Sequence, residues 1–120
     1  MYIYREAIKL LIDQFPEMKN IFEAEKEEYF DVPYVFYESV FTRYIMTKLR
    51  GEEWQEVQKI FDFVEDMFLN GDGEIKNLVG VAIVESIFFE KDFKELYPVI
   101  LKYCGEKTKE SFEDCINYRP

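Results

Sequence analysis

The sequence contains no histidine among its 120 residues. Histidine is the commonest general base and metal ligand near neutral pH, so its absence removes the usual means of acid–base and zinc chemistry. Basic residues are also few: 15 Lys and Arg stand against 25 Asp and Glu, which gives a formal net charge of −10. Such a charge repels phosphate backbones and attracts basic proteins. The composition is therefore more typical of a protein-binding chain than of an enzyme, and we expect neither nucleic acid nor a cofactor as a ligand.

Cysteines and long apolar segments are scarce too. Cys104 and Cys115 are the only cysteines, and they form no CxxC pair. We therefore expect two free thiols in a reducing compartment. The longest apolar run, 78–84, is far shorter than the ~20 residues of a membrane-spanning helix. The first residues lack the basic and apolar regions of a signal peptide. We expect a cytoplasmic protein without membrane association.

The hydrophobic pattern predicts an all-α fold. Hydrophobic residues make up 48% of the chain and aromatic residues 18%, enough to fill one core, so we expect a single domain over 1–120. Apolar residues recur at helical spacing throughout, and no segment alternates as a strand does. About seven helices are predicted, as an antiparallel bundle or a short helix-pair solenoid. The predicted helices cover about 2–14, a segment after Pro16, a segment after Asp31 to Arg50, 52–69, 74–88, 92–103 with a kink or break at Pro98, and a short final helix.

The fourth predicted helix has the clearest amphipathic pattern. Its apolar stripe recurs at intervals of three and four residues, and consists of Trp54, Val57, Ile60, Phe61, Val64, Met67 and Phe68. The segment 70–73, Asn-Gly-Asp-Gly, predicts a turn after it. Asp72 and Glu74 then suit the positive N-terminal end of the fifth helix.

The sequence contains no complete motif for metal binding or catalysis. Without histidine, a di-metal carboxylate bundle cannot form its usual Glu-x-x-His pairs. The segment 66–77 superficially resembles a calcium loop, but Phe68 and Asn77 occupy ligand positions. No glycine-rich phosphate loop or nucleophile elbow is present. We therefore expect no catalytic residue and no metal site.

Glu85 is unusual because it follows the most apolar stretch of the chain. A lone buried charge is costly, so the carboxylate must reach the helix rim or be paired, for instance with an arginine or a tyrosine hydroxyl. The alternative is an acid with a raised pKa in an enzyme without histidine. That alternative requires a polar pocket that reaches Glu85.

Three acidic clusters are either solvated faces or docking surfaces for a basic protein. On a docking surface, carboxylates would accelerate encounter and enforce specificity. The first cluster lies on the second predicted helix, and the others follow on the fourth helix and on the turn after it. Their members are Glu23, Glu25, Glu27 and Glu28; Asp62, Glu65 and Asp66; and Asp72 and Glu74.

The segment 68–79, FLNGDGEIKNLV, and the following VAIVE at 81–85 carry a family resemblance. They resemble small helical immunity proteins of bacterial polymorphic-toxin and contact-dependent growth-inhibition systems. The matching positions are Gly71, Asp72, Asn77, Leu78 and Glu85. The resemblance implies that these residues maintain the fold, and that the protein is a cytoplasmic, non-catalytic inhibitor of one cognate toxin C-terminal domain.

The leading hypothesis from the sequence is thus an immunity protein that binds a basic toxin, such as a nuclease, and blocks access of its substrate. The alternative is a helical adaptor or regulatory protein that binds another cellular protein. For toxin contacts we predict the outer face of the fourth helix and the following turn: Asp62, Glu65, Asp66, Asp72 and Glu74. As second choice we predict Glu25 and Glu28, with Tyr29 and Tyr34 as aromatic anchors.

Overall fold

The computed structural model describes residues 1–24 and 33–118, and over these residues the prediction of an all-α fold is confirmed. The described part contains seven helices and no strand. A short 3₁₀ turn, Tyr4–Glu6, leads into the first helix. The helices are α1 (Ala7–Gln14), α2 (Glu17–Ala24), α3 (33–50), α4 (Trp54–Asn70), α5 (73–88), α6 (Phe93–Tyr103) and α7 (Glu106–Asn117).

Helices α3 and α5 each contain a wider π-helical segment. In α3 it covers Tyr37–Phe41, and in α5 it covers Val79–Glu85. The two segments pack against each other. The buried hydroxyl of Thr42 crosses between them and donates a hydrogen bond to the carbonyl oxygen of Ala82 at 2.7 Å. The sequence predicts regular helices here, because a π segment this short has no hydrophobic pattern of its own that distinguishes it from an α-helix.

The core is built largely from aromatic rings, as the composition suggests. Phe15 of α1 meets Phe41 of α3 at 5.1 Å and Phe63 of α4 at 5.4 Å between ring centroids. A second aromatic group joins α6 to α7, where the rings of Phe93 and Phe112 lie 5.8 Å apart. Side chains of this size each contribute about 1.5–3 kcal/mol when fully buried, so these contacts hold the helices together.

The observed helices differ from the predicted ones at two places. Of the predicted kink or break at Pro98, the break does not occur, because helix α6 continues through this residue. Pro98 and Lys94 both lie on the exposed side, so the Lys94 carbonyl, which loses its helical donor, can bond to water. The chain near the N-terminus is not helical from residue 2: Tyr2 forms an isolated parallel bridge with Gly71 instead.

Helix α3 ends at Arg50, next to Gly51 as predicted, but the glycine does not supply the left-handed conformation. That conformation belongs to Glu52, with φ of 56°. The amide of Glu53 closes the turn by donating to the carbonyl of Lys48 at 3.0 Å. Asp31, after which the sequence predicts the third helix to begin, lies outside the described residues. No helix in the described part of the chain is long and apolar enough to cross a membrane.

Candidate functional site

Tyr2 fastens the start of the chain to the turn between α4 and α5. Its amide donates to the carbonyl of Asn70 at 2.8 Å, and its carbonyl accepts from the amide of Asp72 at 2.9 Å. Its hydroxyl donates to the carboxylate of Asp66. That hydrogen bond, with burial and the negative charge of Asp66, raises the pKa of the Tyr2 hydroxyl. Tyr2 therefore brings Asp66 and Asp72 together at one edge of the molecule.

The same edge continues through a second group of side chains. The rings of Tyr4 and Tyr34 lie 5.9 Å apart, and the amide nitrogen of Asn77 donates to the Tyr34 hydroxyl at 2.7 Å. Burial, then Tyr34, then the charge of Glu74 raise the pKa of Tyr4. We name this surface the acid–tyrosine edge; it consists of Tyr2, Tyr4, Tyr34, Asp66, Asp72 and Glu74.

Four of the five residues that carry the family resemblance have structural contacts in or next to the turn between α4 and α5. The carboxylate of Asp72 caps α5 by accepting from the amide of Ile75 at 2.8 Å. A Cβ atom at Gly71 would lie 2.3 Å from Cγ2 of Ile75 and 2.6 Å from the carbonyl oxygen of Met67, so a side chain does not fit. Leu78 is fully buried, and Asn77 bonds to Tyr34. These residues have structural contacts of their own.

Glu65 faces away from the acid–tyrosine edge. Its carboxylate lies against the first turn of α7 and accepts from the amides of Lys107 at 3.0 Å and Thr108 at 2.9 Å, and from the Thr108 hydroxyl at 2.9 Å. The helix dipole favours a negative charge at this end. Glu65 therefore holds α7 against α4, a role that the sequence does not reveal because the partners are more than 40 residues away.

Asp62 lies one turn from Asp66 on α4 and is exposed. It accepts a hydrogen bond from the side-chain amide of Gln58 at 2.9 Å. Both aspartates border a groove of about 510 Å³ that also includes Gln14 and Lys59. The second-choice contacts Glu25, Glu28 and Tyr29 lie outside the described residues.

A larger cleft, of about 670 Å³, lies between α3 and α5 where the two π segments meet. Helix α3 contributes the side chains of Glu38, Ser39, Thr42 and Arg43. The facing wall includes Val81, Glu85, Ser86, Phe89 and Glu90. The sequence places Ser39 and Arg43 on the polar side of the third helix, and this placement, together with the unusual position of Glu85, is the signal that points to the cleft.

Glu85 is exposed in this cleft, so of the two expected outcomes its carboxylate reaches the rim of the helix and is not paired with a buried partner. Glu85 is the last residue of the π segment of α5. The polar cleft does meet the geometric condition for an enzyme that uses Glu85. However, an exposed carboxylate keeps its water, whereas general acid catalysis uses a desolvated one.

The surroundings of the two cysteines disfavour the thiolate form. Cys104 and Cys115 are free and half-buried. Burial raises the pKa of both thiols, and nearby carboxylates, Glu65 for Cys104 and Glu85 for Cys115, act in the same direction. Less of the reactive thiolate is present as a result. In residues 1–24 and 33–118, no group of three or more Cys, Asp and Glu side chains is arranged to hold a metal ion.

Two tyrosines of the acid–tyrosine edge, Tyr2 and Tyr4, are not singled out by the sequence pattern. The available signal is the alternation Tyr-Ile-Tyr at 2–4, which is extended rather than helical in its spacing. Because the pattern covers only three residues, it does not separate a strand-like segment from the start of a helix.

Comparison with known proteins gives a family but no activity. No curated protein and no solved structure matches this chain. Residues 8–119 match the family described as "Domain of unknown function (DUF7674)". The match spans all seven helices and both candidate surfaces except for Tyr2 and Tyr4. The chain therefore belongs to the DUF7674 family.

Proposed function

We propose that this protein is an immunity protein, which binds a cognate bacterial toxin domain in the cytoplasm and neutralises it without catalysis. The observation that carries the proposal is the acid–tyrosine edge, in which contacts of Tyr2 and Tyr4 gather Asp66, Asp72, Glu74 and Tyr34 on one surface. The resemblance of residues 68–85 to small helical immunity proteins supports the same function.

The edge suits a basic partner for electrostatic reasons. A formal net charge of −10 attracts such a partner over a distance, and local carboxylates then orient it. Toxins that cleave nucleic acids need basic surfaces to hold phosphates, so they are suitable partners. Tyrosine is favoured in interface hot spots because its ring is rigid and its hydroxyl is polar.

The carboxylates at and near the edge differ in how many hydrogen bonds they already accept within the protein. Asp66 and Asp72 are oriented by Tyr2, Asn70 and Ile75, yet each carboxylate can accept further hydrogen bonds. Glu74 and nearby Asp62 are exposed and free to reach a cationic side chain. We assign the main ion pairs to Glu74 and Asp62, and a structural role to Glu65. Glu25, Glu28 and Tyr29 stay a prediction for a second contact region.

The proposal is tested by growth of bacteria that express the toxin domain encoded beside this gene. Co-expression of this protein is expected to restore growth, and the two chains are expected to co-purify. Inactive toxin separates binding from neutralisation, because it should still co-purify. Toxicity that persists alongside well-folded protein, with no co-purification, would contradict the proposal and favour an adaptor that binds another cellular protein.

A further inference from the structure

An exposed aromatic residue marks the cleft between α3 and α5. Phe89 follows the last turn of α5 and is 77% exposed. The ring centroids of Phe89 and Phe88 lie 5.1 Å apart. Val81 exposes a further apolar surface on the same wall. A single exposed apolar side chain is ordinary, but two that border one cleft form an apolar wall that water solvates poorly.

The rest of the cleft carries an excess of negative charge. Glu38 lies on the α3 side and Glu85 on the α5 side, and both are exposed. Within the described residues, neither carboxylate has a hydrogen-bonded or ion-paired partner. Glu90 is already paired, with Arg50 at 2.7 Å. Arg43 is the cation among the lining residues, so carboxylates outnumber guanidinium groups here.

The floor of the cleft is fixed before any ligand arrives. Thr42 and Met46 are buried beneath it, and the Thr42 hydroxyl ties α3 to the carbonyl of Ala82 at 2.7 Å. A preformed surface loses little conformational entropy on binding. Unlike the acid–tyrosine edge, this cleft uses no contact of the N-terminal segment.

We propose that the cleft is a second docking surface, which receives one lysine or arginine side chain from a basic partner protein while Phe89 packs against an apolar neighbour of that side chain. Charge complementarity selects the cation, with Glu38 and Glu85 on either side of it. The volume lies within the ~300–1,000 Å³ of ligand sites, but the exposure of its lining suits a side chain presented by a protein surface.

The test is a titration of ¹⁵N-labelled protein with a capped dipeptide, acetyl-Leu-Arg-amide, followed by NMR. Amide shifts are expected at Ser39, Arg43, Ser86 and Phe89. The same dipeptide with citrulline, which is neutral, should bind at least fivefold more weakly. Equal affinity for the citrulline dipeptide, or shifts spread over the whole acidic surface, would overturn the proposal.

Substitutions in the cleft test whether the dipeptide binds there. Glu38→Gln combined with Glu85→Gln should weaken the arginine dipeptide at least fivefold, and Phe89→Ala should also weaken it. The matched control is Glu95→Gln with Glu113→Gln, which makes the same change in net charge at exposed positions on α6 and α7. The control should bind as the original protein does. An equal loss of affinity in the control variant would show that the dipeptide is held by non-specific charge attraction, and would overturn the proposal. The titration needs no toxin, so its failure is distinct from failure of the immunity function.

Discussion

The carboxylate of Glu65 on α4 caps α7 through Thr108, whose amide and hydroxyl each lie 2.9 Å from the same oxygen of Glu65. A Cβ atom at Gly105 would lie 2.4 Å from this carboxyl group, so the chain approaches α4 closely at the start of α7. Glu65, one of the three acids in the predicted cluster on α4, therefore has a structural role.

Replacement of this acid tests that role. Glu65→Ala removes the acceptor for two amides and a hydroxyl at a helix N-terminus, and should lower the free energy of unfolding by about 2 kcal/mol. Urea denaturation measures the loss. Asp62→Ala on the same helix is the control and should change stability by less than about 0.5 kcal/mol, as expected for a surface site. Similar losses in both variants would refute the capping role.

Gly71 and Gly73 form a matched pair. A Cβ at Gly71 meets Ile75 and the Met67 carbonyl, whereas a Cβ at Gly73 meets nothing within 4 Å. Gly71→Ala should therefore destabilise the protein by about 1–3 kcal/mol, as overpacking does. Gly73→Ala, in the first turn of α5, should be neutral or stabilise it by up to about 1 kcal/mol. Thermal unfolding of the two variants checks the contrast, and the reverse order would contradict the close packing of the turn.

Glu52 holds a left-handed conformation, with φ of 56°, that glycine adopts without strain. Glu52→Gly should raise the free energy of unfolding by about 1 kcal/mol. Glu52→Ala keeps the Cβ and should leave stability almost unchanged. If alanine stabilises as much as glycine, removal of a negative charge is the cause and not relief of strain.

Alkaline pH should weaken the fold through Tyr37. Its buried hydroxyl donates to the Ala7 carbonyl at 2.6 Å, and burial raises its pKa well above the ordinary value. The unfolded tyrosine loses its proton near pH ~10 while the folded one retains it, so stability is complete below pH ~10 and falls above it by up to about 1.4 kcal/mol per pH unit.

The check is urea denaturation between pH 8 and pH 11. Tyr37→Phe should reduce the alkaline slope, at the cost of about 1 kcal/mol at pH 8 for the lost hydrogen bond. Part of the slope should remain, because burial, followed by Glu56, also raises the pKa of Tyr44. An unchanged slope in Tyr37→Phe would show that other groups govern the alkaline loss.

The helices and the core follow from the sequence because periodicity and turn residues act over short distances. The apolar stripe of α4 and the cap at Asp72 are clear examples. The π segments of α3 and α5 do not follow, since segments of five and seven residues are too short to show a hydrophobic period of their own. The continuity of α6 through Pro98 depends on exposure, which one helix alone does not reveal.

The candidate surfaces are harder to predict because they join distant segments. Tyr2 reaches Asp66, and Glu65 reaches Thr108, across 64 and 43 residues respectively. The predicted acidic cluster on α4 therefore separates into an outward-facing residue, Asp62, a residue tied to the N-terminal segment, Asp66, and a helix cap, Glu65. Charge pattern alone gives all three the same role.

The most direct test of the immunity proposal measures the rate at which this protein associates with an inactive form of the cognate toxin domain that the proposal requires. Asp62→Lys with Glu74→Lys reverses two exposed acids and leaves the contacts of Asp66 intact. The control, Glu95→Lys with Glu113→Lys, changes the net charge equally. We expect association at least tenfold slower for the first pair and less than threefold slower for the control. Equal slowing of both pairs would contradict binding through the acid–tyrosine edge and the adjoining Asp62.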